Sequence, residues 1–131
     1  MSYIHNIKKI TEDNTNFRTV LYTGPKSQLV TMNITVDGEI GEETHPHVEQ
    51  TLYIESGNGK AVLDGEETEI TAGSVVVVAP GVKHNILNTG ESALKIWTVY
   101  APANHIDGRI HETKADADAD TEDEEFGHRA E

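Results

Sequence analysis

Turn signals punctuate this chain at short intervals, and their spacing limits what it can fold into. Gly24-Pro25, Asp37-Gly38, Gly57-Asn58-Gly59, Asp64-Gly65, Ala72-Gly73, Pro80-Gly81 and Thr89-Gly90 leave runs between them that are too short for ordinary helices. The runs read as strands. Val30, Met32, Ile34 and Val36 alternate with Thr31, Asn33 and Thr35, the period-two pattern of a strand with one buried face. Residues 60–63 and 66–70 flank Asp64-Gly65, the clearest hairpin signal in the chain, because Asp-Gly accepts the positive φ angles of a tight turn. Val75 to Val78 are β-branched in a row, which predicts a strand buried on both faces, and residues 94–100 close the series. With no convincing amphipathic helix, the pattern points to an all-β antiparallel sandwich or barrel. Residues 1–16 read as an edge strand or a short lead-in segment.

A chain of 131 residues fits one domain and buries roughly two-thirds of its unfolded surface on folding. It has no cysteine, so any metal must rest on nitrogen and oxygen ligands. The N-terminus lacks an apolar stretch of signal-peptide length and no window is long enough to cross a bilayer, so a soluble cytoplasmic protein is expected. A formal charge of −13 repels nucleic acid and anionic lipid and argues against both as partners. From residue 114 to 131 there are eight acidic and two basic residues, so this stretch carries −6 of that charge. It has too little apolar surface to offset its ordering entropy. The expected organisation is therefore one domain over residues 1–112 and a flexible acidic tail over 113–131.

Two stretches carry the chemistry. His45 and His47 are two apart, and on an extended segment both imidazoles lie on one face, able to meet one metal ion. Parity places the next candidates. Gln50 shares a face with apolar Leu52 and Ile54, whereas Glu49 shares one with Thr51, Tyr53 and Glu55, so Gln50 points inward if a bend near Val48 resets the alternation. Gln50 is the preferred fourth ligand, with Glu49 as its rival; Glu42, Glu43 and Tyr53 are within reach of a barrel rim. In the second stretch, a turn at Pro80-Gly81 feeds a strand that presents His84 to the pair. His105 and His111 read as loop residues, and Trp97 and Tyr100 fall on opposite parities of the last strand, so one packs inside.

These stretches resemble the two signature motifs of the cupin superfamily. The first family motif runs Gly, five residues, His-x-His, three or four residues, Glu, six residues, Gly. Here Gly57 lies seven after Gln50, which stands where the family has glutamate, but only two residues separate Gln50 from His47 and the opening glycine is off register at Gly38 or Gly41. The second runs Gly, five residues, Pro-x-Gly, two residues, His, three residues, Asn; Gly73, Gly81, His84 and Asn88 match its spacing, with the proline displaced to Pro80. The resemblance covers residues 28–100. The segment from Tyr100 to Lys114 is similar to the end of small cupins labelled loosely as mannose-6-phosphate-isomerase-like, an analogy of fold only.

The resemblance implies a jelly-roll, or double-stranded β-helix, barrel holding one divalent transition metal (Fe, Mn, Ni, Zn or Cu) on His45, His47, Gln50 and His84. Three imidazoles and a carboxamide would leave the ion its full double charge, a stronger Lewis acid than the family's three-histidine, one-glutamate site. It further implies a small oxygen-rich substrate handled by dioxygenase-type or isomerase-type chemistry, or else a non-catalytic module that binds a sugar-like ligand. Single-domain members are similar in forming homodimers, which is the expected assembly here.

Overall fold

Inward and outward side chains alternate along the long strands, and this alternation gathers the core between two antiparallel sheets. The computed structural model describes residues 2–130 and runs α1 (Ile7–Asp13), β1 (Arg18–Thr23), β2 (Gln28–Ile34), β3 (Glu49–Ser56), β4 (Asn58–Leu63), β5 (Glu66–Thr71), β6 (Val75–Val78), β7 (His84–Asn88), β8 (Leu94–Ala101), β9 (Ile110–His111), α2 (Lys114–Ala119) and α3 (Thr121–Ala130). Six strands form one sheet in the order β6-β3-β8-β2-β1-β9, and three form the other, β5-β4-β7. In β8, Leu94, Ile96, Thr98 and Tyr100 are buried while Lys95, Trp97 and Val99 are only partly so. Leu52 and Ile54 of β3, Val30, Met32 and Ile34 of β2, Ile70 of β5 and Ile86 of β7 complete a single apolar cluster. The hairpin at Asp64-Gly65 forms as its sequence predicts, with both residues at positive φ (49° and 84°) and Leu63 paired with Glu66.

Three expectations fail. The first is the edge-strand reading of residues 1–16, where the lead-in to β1 instead carries α1. Its N-cap Asn6 accepts a hydrogen bond from the Lys9 N–H, and its one buried residue, Thr11, sits on a helix that contacts β8, β2 and β3. Too short to show a period of 3.6, it is held by this capping and packing. The second concerns β6, which is not buried on both faces. It is an edge strand with Val75 60% and Val77 54% exposed, while Val76 and Val78 face the core, so β-branching alone marked a strand but not its burial.

The third is the acidic tail, whose described residues form two helices. Thr113 and Asp116 make a reciprocal capping box at the start of α2, and Glu122, Asp123 and Glu124 occupy the first turn of α3, where carboxylates meet the positive end of the helix dipole. The ordering energy that the tail's composition lacks comes from polar pairs with the barrel rather than apolar burial: Asp123 is only 4% exposed. Among the described residues no helix is long and apolar enough to cross a membrane.

Gly59 is needed for close approach of β4 to β7, because a Cβ there would lie 2.5 Å from the Leu87 carbonyl oxygen and 3.0 Å from Leu94 Cδ2. Gly59→Ala should therefore lower stability by about 1–3 kcal/mol, read as a shifted urea midpoint, whereas the same change at Gly65, with open space around it, should cost only its positive-φ strain.

Candidate metal centre and the cavity beside it

Two backbone hydrogen bonds build the centre. Glu43 N–H donates to the His84 carbonyl and His84 N–H to the Glu43 carbonyl, each at 2.9 Å, an isolated antiparallel bridge that lays the segment before β3 along β7. The Gly81 N–H, in the positive-φ turn entering β7, donates to the His45 carbonyl at 2.8 Å and seats the next residue pair. As a result Glu43, His45 and His84 offer one ligand atom each within 4.8 Å of one another. The imidazoles of His45 and His84 lie 5.2 Å apart between centroids.

His47 does not join this group. It is exposed, in the bend before β3, and Glu43 stands where the histidine was expected. Pro46 and His47 form the bend that resets alternation, so the extended geometry assumed for His45-x-His47 is absent. The parity argument for Gln50 holds: Gln50 is buried opposite Tyr100 of β8, while Glu49 is exposed. The Gln50 Nε2 donates to Thr98 Oγ1 at 3.1 Å, which leaves Oε1 buried without a hydrogen-bond partner. Tyr53 is not at the rim; it stacks on Trp97 at 5.1 Å, on the face of β3 away from Gln50. Tyr100 is the inward member of the Trp97–Tyr100 pair.

Glu43 was discernible in the sequence under a different register. With Glu43-x-His45 in the place of His-x-His, four residues lead to Gln50 and six more to Gly57, which is the family spacing throughout. The opening glycine then falls on Asp37, whose φ of 64° is the left-handed conformation a glycine would supply. Requiring an imidazole at the first position concealed this fit.

The electrostatics suit a cation. His84 Nδ1 lies 2.9 Å from the Val82 carbonyl, so Nδ1–H donates there and Nε2 keeps its lone pair. Burial lowers the His84 pKa, and the nearby His45 adds to this against the Val82 carbonyl and Glu43, so the ring is neutral at pH 7. Burial pushes the Glu43 carboxyl up, but its hydrogen bond and charge attraction to His45, with Arg18 and His105 beyond, outweigh burial and hold it below the ordinary value. Glu43 Oε2 approaches His45 Nε2 at 2.9 Å.

Beside this group opens a cavity of about 370 Å³, whose wall includes Arg18, Glu43, His45, Asn104, His105 and Asp123. Its roof is the unforeseen part of the site. Gln28, buried in β2, donates to the His105 carbonyl and accepts from the N–H groups of Asn104 and His105, which clamps that loop to the barrel. Asp123 of α3 accepts from His105 Nδ1 and the Ile106 N–H, both at 2.7 Å. His111 bridges Arg18, at 3.2 Å from its Nδ1, and Asp120, at 2.9 Å from its Nε2. His105 is the loop residue expected, whereas His111 lies in β9, and both are buried struts between barrel and helices. His111, Asp120 and Asp123 also converge as a second group of possible ligands, but these hydrogen bonds already engage them.

Residues 30–100 match the cupin domain family. The chain is a cupin. Its relatives include the uncharacterized protein YrkC of Bacillus subtilis, 40% identical over 88% of this chain and 65% of that protein, so this cupin spans just under two-thirds of the YrkC length. Protein L612 of Acanthamoeba polyphaga mimivirus is 34% identical over 82% of this chain and 70% of its own. The crystal structure of BH2720 from Bacillus halodurans superposes with a TM-score of 0.90 at 36% identity, covering 91% of this cupin and 95% of that chain. The jelly-roll expectation is thus borne out.

One pH effect follows from the roof. Burial, reinforced by the Arg18 charge, pushes the His105 imidazole down from 6.5 to about 4 against the attraction of Asp123. A histidine depressed in this way binds fewer protons folded than unfolded, so its stabilisation is complete above pH 6.5 and is lost as pH falls toward 4, about 3 kcal/mol in all. Urea titrations between pH 7 and pH 4 should show that decline, and the His105 ring resonances should titrate with a midpoint near 4; a midpoint at or above 6.5 contradicts the account.

Proposed function

We propose that this cupin is a metal-dependent protein in which Glu43, His45, Gln50 and His84 hold one divalent transition ion, drawn from Fe, Mn, Ni, Zn and Cu. The observation that carries the reading is the convergence of half-buried Glu43 with buried His45 and His84, the first two of which line a cavity. The orphaned Gln50 Oε1 supports a fourth oxygen ligand, since a buried acceptor without a donor is costly unless something else meets its lone pair. With Glu43 in place of His47, the ligand set carries one negative charge. It therefore balances the ion as the family's three-histidine, one-glutamate set does, and the stronger Lewis acid expected of a neutral set does not arise.

When bound, the ion supplies Lewis-acid activation of a chelating oxygen or a seat for dioxygen, the isomerase-type and dioxygenase-type chemistries open to such a site. The chain's own groups do the rest. The Val82 carbonyl orients the His84 ring, Thr98 orients the Gln50 amide, and α2 and α3 cover the cavity. With its Nδ1–H directed to Asp123, neutral His105 keeps Nε2 as a hydrogen-bond acceptor for a bound oxygen-rich metabolite. The same reading has the chain working as a homodimer, supported by the exposed valines of edge strand β6, and sedimentation should then give about twice the 14.4 kDa chain mass.

Elemental analysis of protein prepared without a histidine tag tests the centre. Near-stoichiometric metal is expected for the wild type and for His47→Ala, with affinity lowered at least tenfold for Glu43→Gln and His84→Ala. Full metal retention in both of the latter would overturn the ligand set.

A further inference from the structure

Arg18 is a buried charge in the cavity wall that the metal centre leaves unused. It opens β1, paired in register with His111 of β9, and is only 6% exposed. Its immediate partners are uncharged. Nη1 donates to His111 Nδ1 at 3.2 Å, the neutral Tyr100 hydroxyl lies nearby, and the Phe17 ring lies 5.2 Å from Cζ. Burial pushes the Tyr100 hydroxyl up to about 12, so it stays neutral. The Arg18 Nε–H has no acceptor. Among the described residues, no carboxylate makes an ion pair with this guanidinium, because the nearby acids are engaged elsewhere: Glu43 with His45, Asp120 with His111, and Asp123 with His105.

A guanidinium does not deprotonate in a protein, and a buried charge is ordinarily met by a counter-charge. Asp120 reaches Arg18 only through the His111 ring and is shared with Arg109, at 3.5 Å. The cavity gives a counter-charge room to arrive from outside. Two further buried atoms in its wall, Asn104 Oδ1 and His105 Nε2, also lack partners, and both are acceptors as oriented here, so they call for a donor such as a hydroxyl. The remaining wall is acidic, with Glu42, Asp118 and Glu124, which disfavours a second negative charge on the ligand.

We propose that Arg18 anchors the carboxylate of a small monoanionic hydroxy acid in this cavity, with the ligand hydroxyl donating to the Asn104–His105 side. The planar fork of arginine matches a carboxylate, and one carboxylate completes what the protein leaves open. The inference names the substrate class for the function proposed above and rests on that reading for its relevance to catalysis, but the anion site itself does not depend on the metal.

Metal-free wild-type protein should therefore be titrated with glycolate, acetate and malonate while the arginine Nε–H resonances are followed by NMR. Glycolate is expected to shift the Arg18 Nε–H saturably, to bind several-fold more tightly than acetate, which lacks the hydroxyl, and more tightly than the dianion malonate. Arg18→Gln should weaken glycolate binding at least tenfold. No saturable shift at Arg18, equal binding by Arg18→Gln, or a preference for acetate or malonate would overturn the proposal. The wild-type resonance decides the matter even if the variant does not fold. Loss of the metal-ligand hypothesis with glycolate binding intact, or the converse, separates this inference from the one it extends.

Discussion

The reciprocal backbone hydrogen bonds between Glu43 and His84 are the interaction on which the candidate site depends. They join the segment preceding β3 to β7, distant in the chain, beside two further backbone bonds between the same stretches, Ile40 N–H to the Ile86 carbonyl and Asn88 N–H to the Gly38 carbonyl, each at 2.9 Å. A one-residue slip of an extended segment would send Glu43 and His45 to the opposite face. The Gly81–His45 bond, made from a turn at positive φ, keeps that slip from occurring one residue further on.

A second constraint comes from the far end of the chain. Gln28 satisfies three backbone groups of the Asn104–His105 loop from inside the larger sheet, and the loop then offers His105 to Asp123 of α3. His111 and Asp120 repeat the arrangement a few residues on. These are buried polar networks, which hold a unique geometry when every member is satisfied and are costly when one is lost. They turn an acidic segment with little apolar surface into the roof of a cavity. The depressed pKa of His105 records the same burial.

Much of the fold was legible before any coordinates. The turn dipeptides, the alternation in β2 and β8 and the Asp64-Gly65 hairpin are local signals, since each depends on neighbours a few residues away. Inward Gln50 and outward Glu49 followed from strand parity, also a local property. The errors had a different origin. Helix α1 and the C-terminal helices are stabilised by caps and by contacts with distant strands, and Val75 and Val77 are exposed because β6 lies at a sheet edge, which no run of β-branched residues discloses. His47 was misplaced because Pro46 starts a bend where an extended segment had been assumed.

What the sequence by itself determined is therefore the strand series, the membership in the cupin family and the contributions of His45, Gln50 and His84 as inward polar groups. The tertiary structure decided that Glu43 rather than His47 lies beside His45 and His84, that α2 and α3 line the cavity next to them and that Arg18 stands buried with no carboxylate partner among the described residues. The reason is physical: alternation and turn chemistry act within a few residues, whereas the position of a charge depends on which distant backbone or side chain reaches it, and that is set only when the sheets and their covering helices come together.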